Sequence, residues 1–97
     1  EVILSRKLER HKLIIQRQVT IPIDYDGVKF EEAFRADIIV ENKVILELKS
    51  VESVTKAHKK QLLTYLRLSG MKLGFLLNFG EAFMKDGITR IVNGLEE

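Results

Sequence analysis

Ninety-seven residues bound the chain to one domain, since cores grow to roughly 100–150 residues before a chain divides. Apolar residues at 45% and charged residues at 31% exclude a disordered chain, and the lack of cysteine excludes disulfide frameworks, thiolate metal sites and cysteine nucleophiles. The net charge is only +2, and its excess sits in one segment, where Lys56, Lys59, Lys60 and Arg67 have no acidic neighbour in sequence. Two histidines, His11 and His58, are too few for a histidine-built metal centre. No run approaches about 18 apolar residues and no signal peptide is visible, so the expectation is a cytoplasmic protein without a membrane span.

The first dozen residues carry Val2, Ile3, Leu4, Leu8 and Leu13 at loosely helical spacing, which predicts the end of an amphipathic helix. From Ile15 the period becomes two: Val19, Ile21 and Ile23 alternate with Thr20, Pro22 and Asp24, a strand with one buried face. Pro22 lacks an amide donor and places that strand at a sheet edge. Asp26-Gly27 signals a turn, and residues 28–34 begin the next strand. Ala36, Ile38 and Val40 then mark one face of a strand, with Val44, Leu46 and Leu48 marking the matching face of another. Glu41-Asn42-Lys43 has the length of a three-residue hairpin loop.

A helix follows, capped by Ser53 or Thr55 and ended by Gly70. Leu73, Phe75 and Leu77, with Leu76 between them, read as a buried strand, and Ile88 to Val92 as a short last one. The order is helix, three strands in a meander, helix, strand, strand. The second helix is long enough to carry a crossover, which sets the fourth strand parallel to the third. The predicted class is α/β, a mixed sheet with helices on both faces.

If Val40 pairs with Val44, Asp37 falls opposite Glu47 and Arg35 opposite Lys49, four charges on one face. Carboxylates opposite one another lie about 4.5–5.5 Å apart at their β-carbons and either share a proton or hold a cation. Such a pair suits Mg²⁺, which takes one or two carboxylates and keeps several waters. Lys49 would then project beside the same ion. The other arrangement is a checkerboard of surface ion pairs, Arg35–Glu47 and Asp37–Lys49, each contributing about 0–1 kcal/mol. A one-residue change of register would separate the carboxylates altogether.

On the second helix, His58, Gln61 and Tyr65 fall within roughly 60° of one another, beside Leu62. Gln61 and Tyr65 could reach back toward the charged sheet edge, or Gln61 could satisfy a sheet carbonyl with Tyr65 in the core. His58 fits a hydrogen-bonding role at the helix start better than a ligand role. Lys56, Lys60 and Arg67 lie about 160–200° away, on what reads as the solvated back of the helix.

Asp37, Glu47-Leu48-Lys49 and Gln61-Leu62-Leu63-Thr64-Tyr65 resemble the D…(D/E)xK…QxxxY pattern of PD-(D/E)XK nucleases, in the branch related to RecB-type exonucleases. The blocks Phe34-Arg35-Ala36-Asp37, Val44 to Lys49, His58 to Leu66, Asn78-Phe79 and Gly87 to Asn93 look more narrowly like the GxxExxY protein family. The resemblance spans nearly the whole chain. It implies a restriction-endonuclease-like fold with an αβββαβ core and a site using Mg²⁺ or Mn²⁺. It implies Asp37 and Glu47 as metal ligands with the Leu48 carbonyl as a third, Lys49 as the catalytic lysine, and Gln61 and Tyr65 as the supporting motif. Glu32 occupies the place of an acidic residue often found before this aspartate. The motif that names the family lies on its first helix and would end just before Glu1. In related nucleases a glutamate from that helix can complete the metal site. The expectation is therefore a single domain over 1–97 that lacks part of its first helix.

Three functions follow as expectations. The first is a metal-dependent nuclease hydrolysing phosphodiesters of DNA, with RNA as the other substrate class. The second is a module that keeps the nuclease fold without activity and binds nucleic acid or a protein partner. The third is a structural homo-oligomer that buries the surface left by the missing helical segment.

Overall fold

The computed structural model describes residues 1–25, 28–80 and 86–94, and for residues 22–25 and 28–34 the backbone alone. The elements are α1 (Val2–Arg10), β1 (Ile15–Tyr25), β2 (Val28–Val40), β3 (Val44–Lys49), α2 (Lys56–Ser69), β4 (Leu73–Asn78) and β5 (Ile88–Val92). They form one five-stranded sheet in the order β1-β2-β3-β4-β5, with helices on either side. β3 and β4 run parallel across the α2 crossover, and every other pairing is antiparallel. This is the mixed sheet the alternating patterns predict. Residues 28–40 form one continuous strand, and the Asp26-Gly27 turn lies outside the described residues.

Local chemistry accounts for the ends. Lys12, just past α1, adopts φ +62, the left-handed stop of a helix C-terminus. Thr55 caps α2: its Oγ1 accepts the His58 amide at 3.3 Å, and His58 Nδ1 accepts the Thr55 amide at 3.0 Å. His58 is thus a capping residue, as expected. Gly70 ends α2 at φ +75, a conformation that carries a steric cost for other residues. The β2–β3 turn places Glu41 and Asn42 both at φ +54, and the Glu41 carboxylate accepts the Ile14 amide at 2.9 Å. Pro22 stands where the β1–β2 register shifts, on an edge strand, where its missing donor costs no ladder bond.

The core lies between the sheet and α2. Ile39, Ile45 and Leu76 pack with Leu62 and Leu66 of the helix, and Ala36 joins them. Gly74 lets α2 approach: a Cβ there would meet the Leu62 methyls at 3.1 Å. In β4 the fully covered residues are Gly74, Leu76 and Asn78, whereas Leu73, Phe75 and Leu77 are only half-buried. The expected buried strand is present, with the phase of Gly74, Leu76 and Asn78 covered more fully than that of Leu73, Phe75 and Leu77. The reason is cover: α2 lies on the Leu76 side, while α1, on the other side, packs against β1.

Candidate active site at the parting of β2 and β3

The β2–β3 ladder has the anticipated register: Ile38 pairs with Leu46, Ile39 with Ile45 and Val40 with Val44. It stops there. Beyond Ile38 and Leu46 the strands part, and a side chain replaces the ladder: Asp37 Oδ2 accepts the Leu48 amide at 2.8 Å. The N–H and C=O of one strand residue project to the same side. The Leu48 carbonyl therefore also faces this gap.

A change of pleat accompanies the parting. Ile38 is fully buried outside the α2-side cluster, whereas Ala36 lies within it together with Ile39. Strict alternation would put Ala36 with Ile38. The pleat thus changes face around Asp37. On β1 the facing position is Gln18, which adopts φ +51, rare for a residue other than glycine.

Glu47 comes from the regular part of β3, on the face of Ile45 and beneath α2. It is 6% exposed, and its Oε1 has no hydrogen-bond partner. An acid so placed resists ionisation. Burial, then the charge and carboxyl group of Asp37, push its pKa up to about 8, with the Asp37 amide and the Lys49 ammonium acting in the opposite direction. Lys49 follows two residues later on the same face, half-buried, and its carbonyl accepts the Phe79 amide at 2.8 Å. Neither Arg35–Glu47 nor Asp37–Lys49 closes to an ion pair among the described residues, so the checkerboard is not formed. Arg35 is exposed.

Tyr65 reaches the carboxylates from α2. Its pKa is raised, first by burial, then by the charge of Glu47 and less by that of Asp37, while a side-chain hydrogen bond from its neighbour Gln61 works the other way. Gln61 itself is exposed, one turn nearer the helix start. Structure therefore gathers Asp37, Glu47, Leu48, Lys49 and Tyr65, with Gln61 attached through Tyr65. Lys56, Lys60 and Arg67 are exposed, consistent with a solvated helix back. The side chain of Glu32 lies outside the described residues.

Asn78 acquires a role that spacing does not show. Fully buried at the end of β4, its Oδ1 accepts the Val51 and Gly80 amides, each at 3.0 Å, and its Nδ2 donates to the Val51 carbonyl at 2.9 Å. It clamps the chain leaving Lys49 onto β4. The available signal is a polar residue in the buried phase of an otherwise apolar strand, Gly74, Leu76, Asn78.

An unpartnered buried carboxylate oxygen beside a second carboxylate and a backbone carbonyl is a donor set that fits a hard divalent cation. Among the described residues no group of three or more acidic, histidine or cysteine side chains gathers. Two carboxylates suit Mg²⁺, which retains much of its water, better than Ca²⁺. A hollow of about 490 Å³ opens at the far end of β3 and β4, beside Val44 and Leu73.

A mixed sheet between helices, with a carboxylate pair and a lysine where two central strands part, defines a restriction-endonuclease-like α/β fold. The family model of the PD-(D/E)XK nuclease superfamily matches residues 1–91, and the chain belongs to that superfamily. Its members usually use divalent metals. A search of curated proteins returns no significant match. Among solved structures, the fold is similar to that in the crystal structure of SSO0001, with a TM-score of 0.68 and 24% identity over 98% of this chain. The chain spans 49% of the length of that protein. No described helix is long and apolar enough to cross a membrane.

Proposed function

We propose that the protein is a nuclease that hydrolyses phosphodiester bonds of DNA with Mg²⁺ or Mn²⁺, in the GxxExxY family and the RecB-like branch of its superfamily. The observation that carries this reading is the buried Glu47 Oε1 without a partner, held against Asp37 and beside Lys49. An apolar or amide side chain would satisfy that position at lower cost, and a bound cation gives the carboxylate its purpose. Asp37, Glu47 and the Leu48 carbonyl would hold the ion, which when bound supplies Lewis-acid polarisation of the phosphate and lowers the pKa of water.

The chain's own residues do the rest. Asp37 spends one oxygen on the Leu48 amide, which fixes its orientation between the strands. The Lys49 ammonium stands where negative charge develops on the phosphate and stabilises it in the transition state. Tyr65, hydrogen-bonded to Gln61, adds its hydroxyl on the α2 side, within the field of the Glu47 charge. Asn78 holds the backbone beyond Lys49. The test is cleavage of labelled DNA with Mg²⁺ or Mn²⁺, alongside calorimetry of metal uptake. Loss of cleavage in folded Asp37→Ala and Lys49→Ala proteins supports the reading. Absence of both cleavage and metal heat in the wild type leaves the inactive binding module as the function.

A further inference from the structure

The geometry points to a base-stacking subsite on Phe79, in the hollow between α1 and the end of β4, that takes an unstacked nucleobase of a single-stranded or frayed substrate. The inference rests on the nuclease reading above and adds the form of nucleic acid that fits the site.

Phe79 is 51% exposed, unusual for phenylalanine, yet its backbone is tied to the neighbouring strand. Its amide donates to the Lys49 carbonyl at 2.8 Å, and the preceding Asn78 is held by three side-chain hydrogen bonds. The ring is thus presented on a rigid support, one hydrogen bond from the backbone of the lysine proposed to serve catalysis. A hollow of about 320 Å³ opens beside it, lined by Glu1, Ile3, Leu4, Lys7 and Phe79. Ligand pockets begin at roughly that size.

The chemistry of the lining selects the occupant. Ile3 and Leu4 supply apolar walls opposite an aromatic ring, and every nucleobase offers a flat π-face to such a slot. Lys7 is the cation in the lining, suited to a phosphate of the same strand. The Glu1 carboxylate, the one acidic group there, is turned to Arg17 Nε at 3.1 Å and Gln18 Nε2 at 2.6 Å, which offsets its charge. A protein partner fits less well, because a stable interface buries well over about 1,000 Å² and this slot admits little more than one ring. A base inside an intact duplex cannot reach the ring without leaving its stack.

The test is fluorescence titration of a single-stranded oligonucleotide bearing 2-aminopurine, with Ca²⁺ replacing Mg²⁺ to withhold cleavage. Stacking on Phe79 quenches the probe. Phe79→Ala is expected to weaken binding by about 5- to 150-fold, the range measured for loss of one stacked base. Phe79→Tyr should stay close to wild type. Lys7→Ala should lower the slope of log Kd against log salt by about 0.7. A blunt duplex should bind more weakly than the single strand. Unchanged affinity in Phe79→Ala, equal affinity for the duplex, or no binding by the wild type each overturns the subsite. Circular dichroism and Mn²⁺ calorimetry on the same proteins separate the two claims. Normal metal heat with a silent Phe79→Ala refutes stacking alone, whereas absent metal heat in the wild type refutes the nuclease reading.

Discussion

Glu47→Gln offers a quantitative test of the carboxylate pair. The Glu47 pKa rises from 4.5 to about 8 in the folded protein. Below pH 4.5 the residue is protonated whether the chain is folded or not, and its contribution to stability is fully present. Between those values the unfolded chain sheds a proton that the folded chain retains, so stability falls as pH rises; above about 8 the loss is complete. Each pH step in that window costs up to about 1.4 kcal/mol, and the whole loss reaches about 4–5 kcal/mol at its upper limit.

Glutamine has the same shape and no charge, so Glu47→Gln removes most of this dependence. Urea unfolding followed by circular dichroism at pH 5, 6, 7 and 8 in EDTA reads both proteins. Wild type is expected to lose stability steadily while the variant changes little, ending more stable than wild type at pH 8. Added Mn²⁺ should reverse the wild-type loss and leave the variant unmoved. At a metal concentration a hundred times Kd the gain is about 2.7 kcal/mol. It weakens toward acid pH, because binding must displace the Glu47 proton. A wild-type stability flat from pH 5 to 8, or a variant with an equal slope, refutes the burial argument.

Lys49→Ala should lower cleavage about 10²–10³-fold while the heat of metal binding is retained, since it removes charge stabilisation and no ligand. Asp37→Asn keeps an acceptor for the Leu48 amide but removes the charge beside Glu47, so the fall of stability with pH should be smaller and end at lower pH, and the heat of Mn²⁺ binding should vanish. Asn78→Ala leaves the Val51 amide and carbonyl unpaired, and should cost at least about 2 kcal/mol, read as a lower urea midpoint at unchanged m-value. Thr55→Ala removes the cap of α2 and should cost about 1 kcal/mol, a fall in Tm of about 4–8 °C by differential scanning calorimetry.

Patterns confined to neighbouring residues were readable from the chain alone. Alternation gave β1 and the hairpin, the stop at Gly70 and the cap at Thr55 bounded α2, and the pairing of Val40 with Val44 followed from a three-residue loop. Each depends on the backbone's own periodicity, which short-range chemistry sets. The contact of Asp37 with Glu47 was anticipated on the same basis, as a ladder pair.

The manner of that contact required the assembled sheet. The ladder ends one step earlier, Asp37 takes the Leu48 amide, and the pleat changes face near Gln18 and Asp37. Such a departure arises where three strands and a helix compete for the same space, and no local pattern encodes it. Burial of Glu47 under α2, the clamp of Asn78 on Val51 and the exposure of Phe79 are of the same kind. The chain specified which groups carry charge and where strands begin. Only packing decided which of those charges lose their water, because desolvation depends on neighbours far away in sequence.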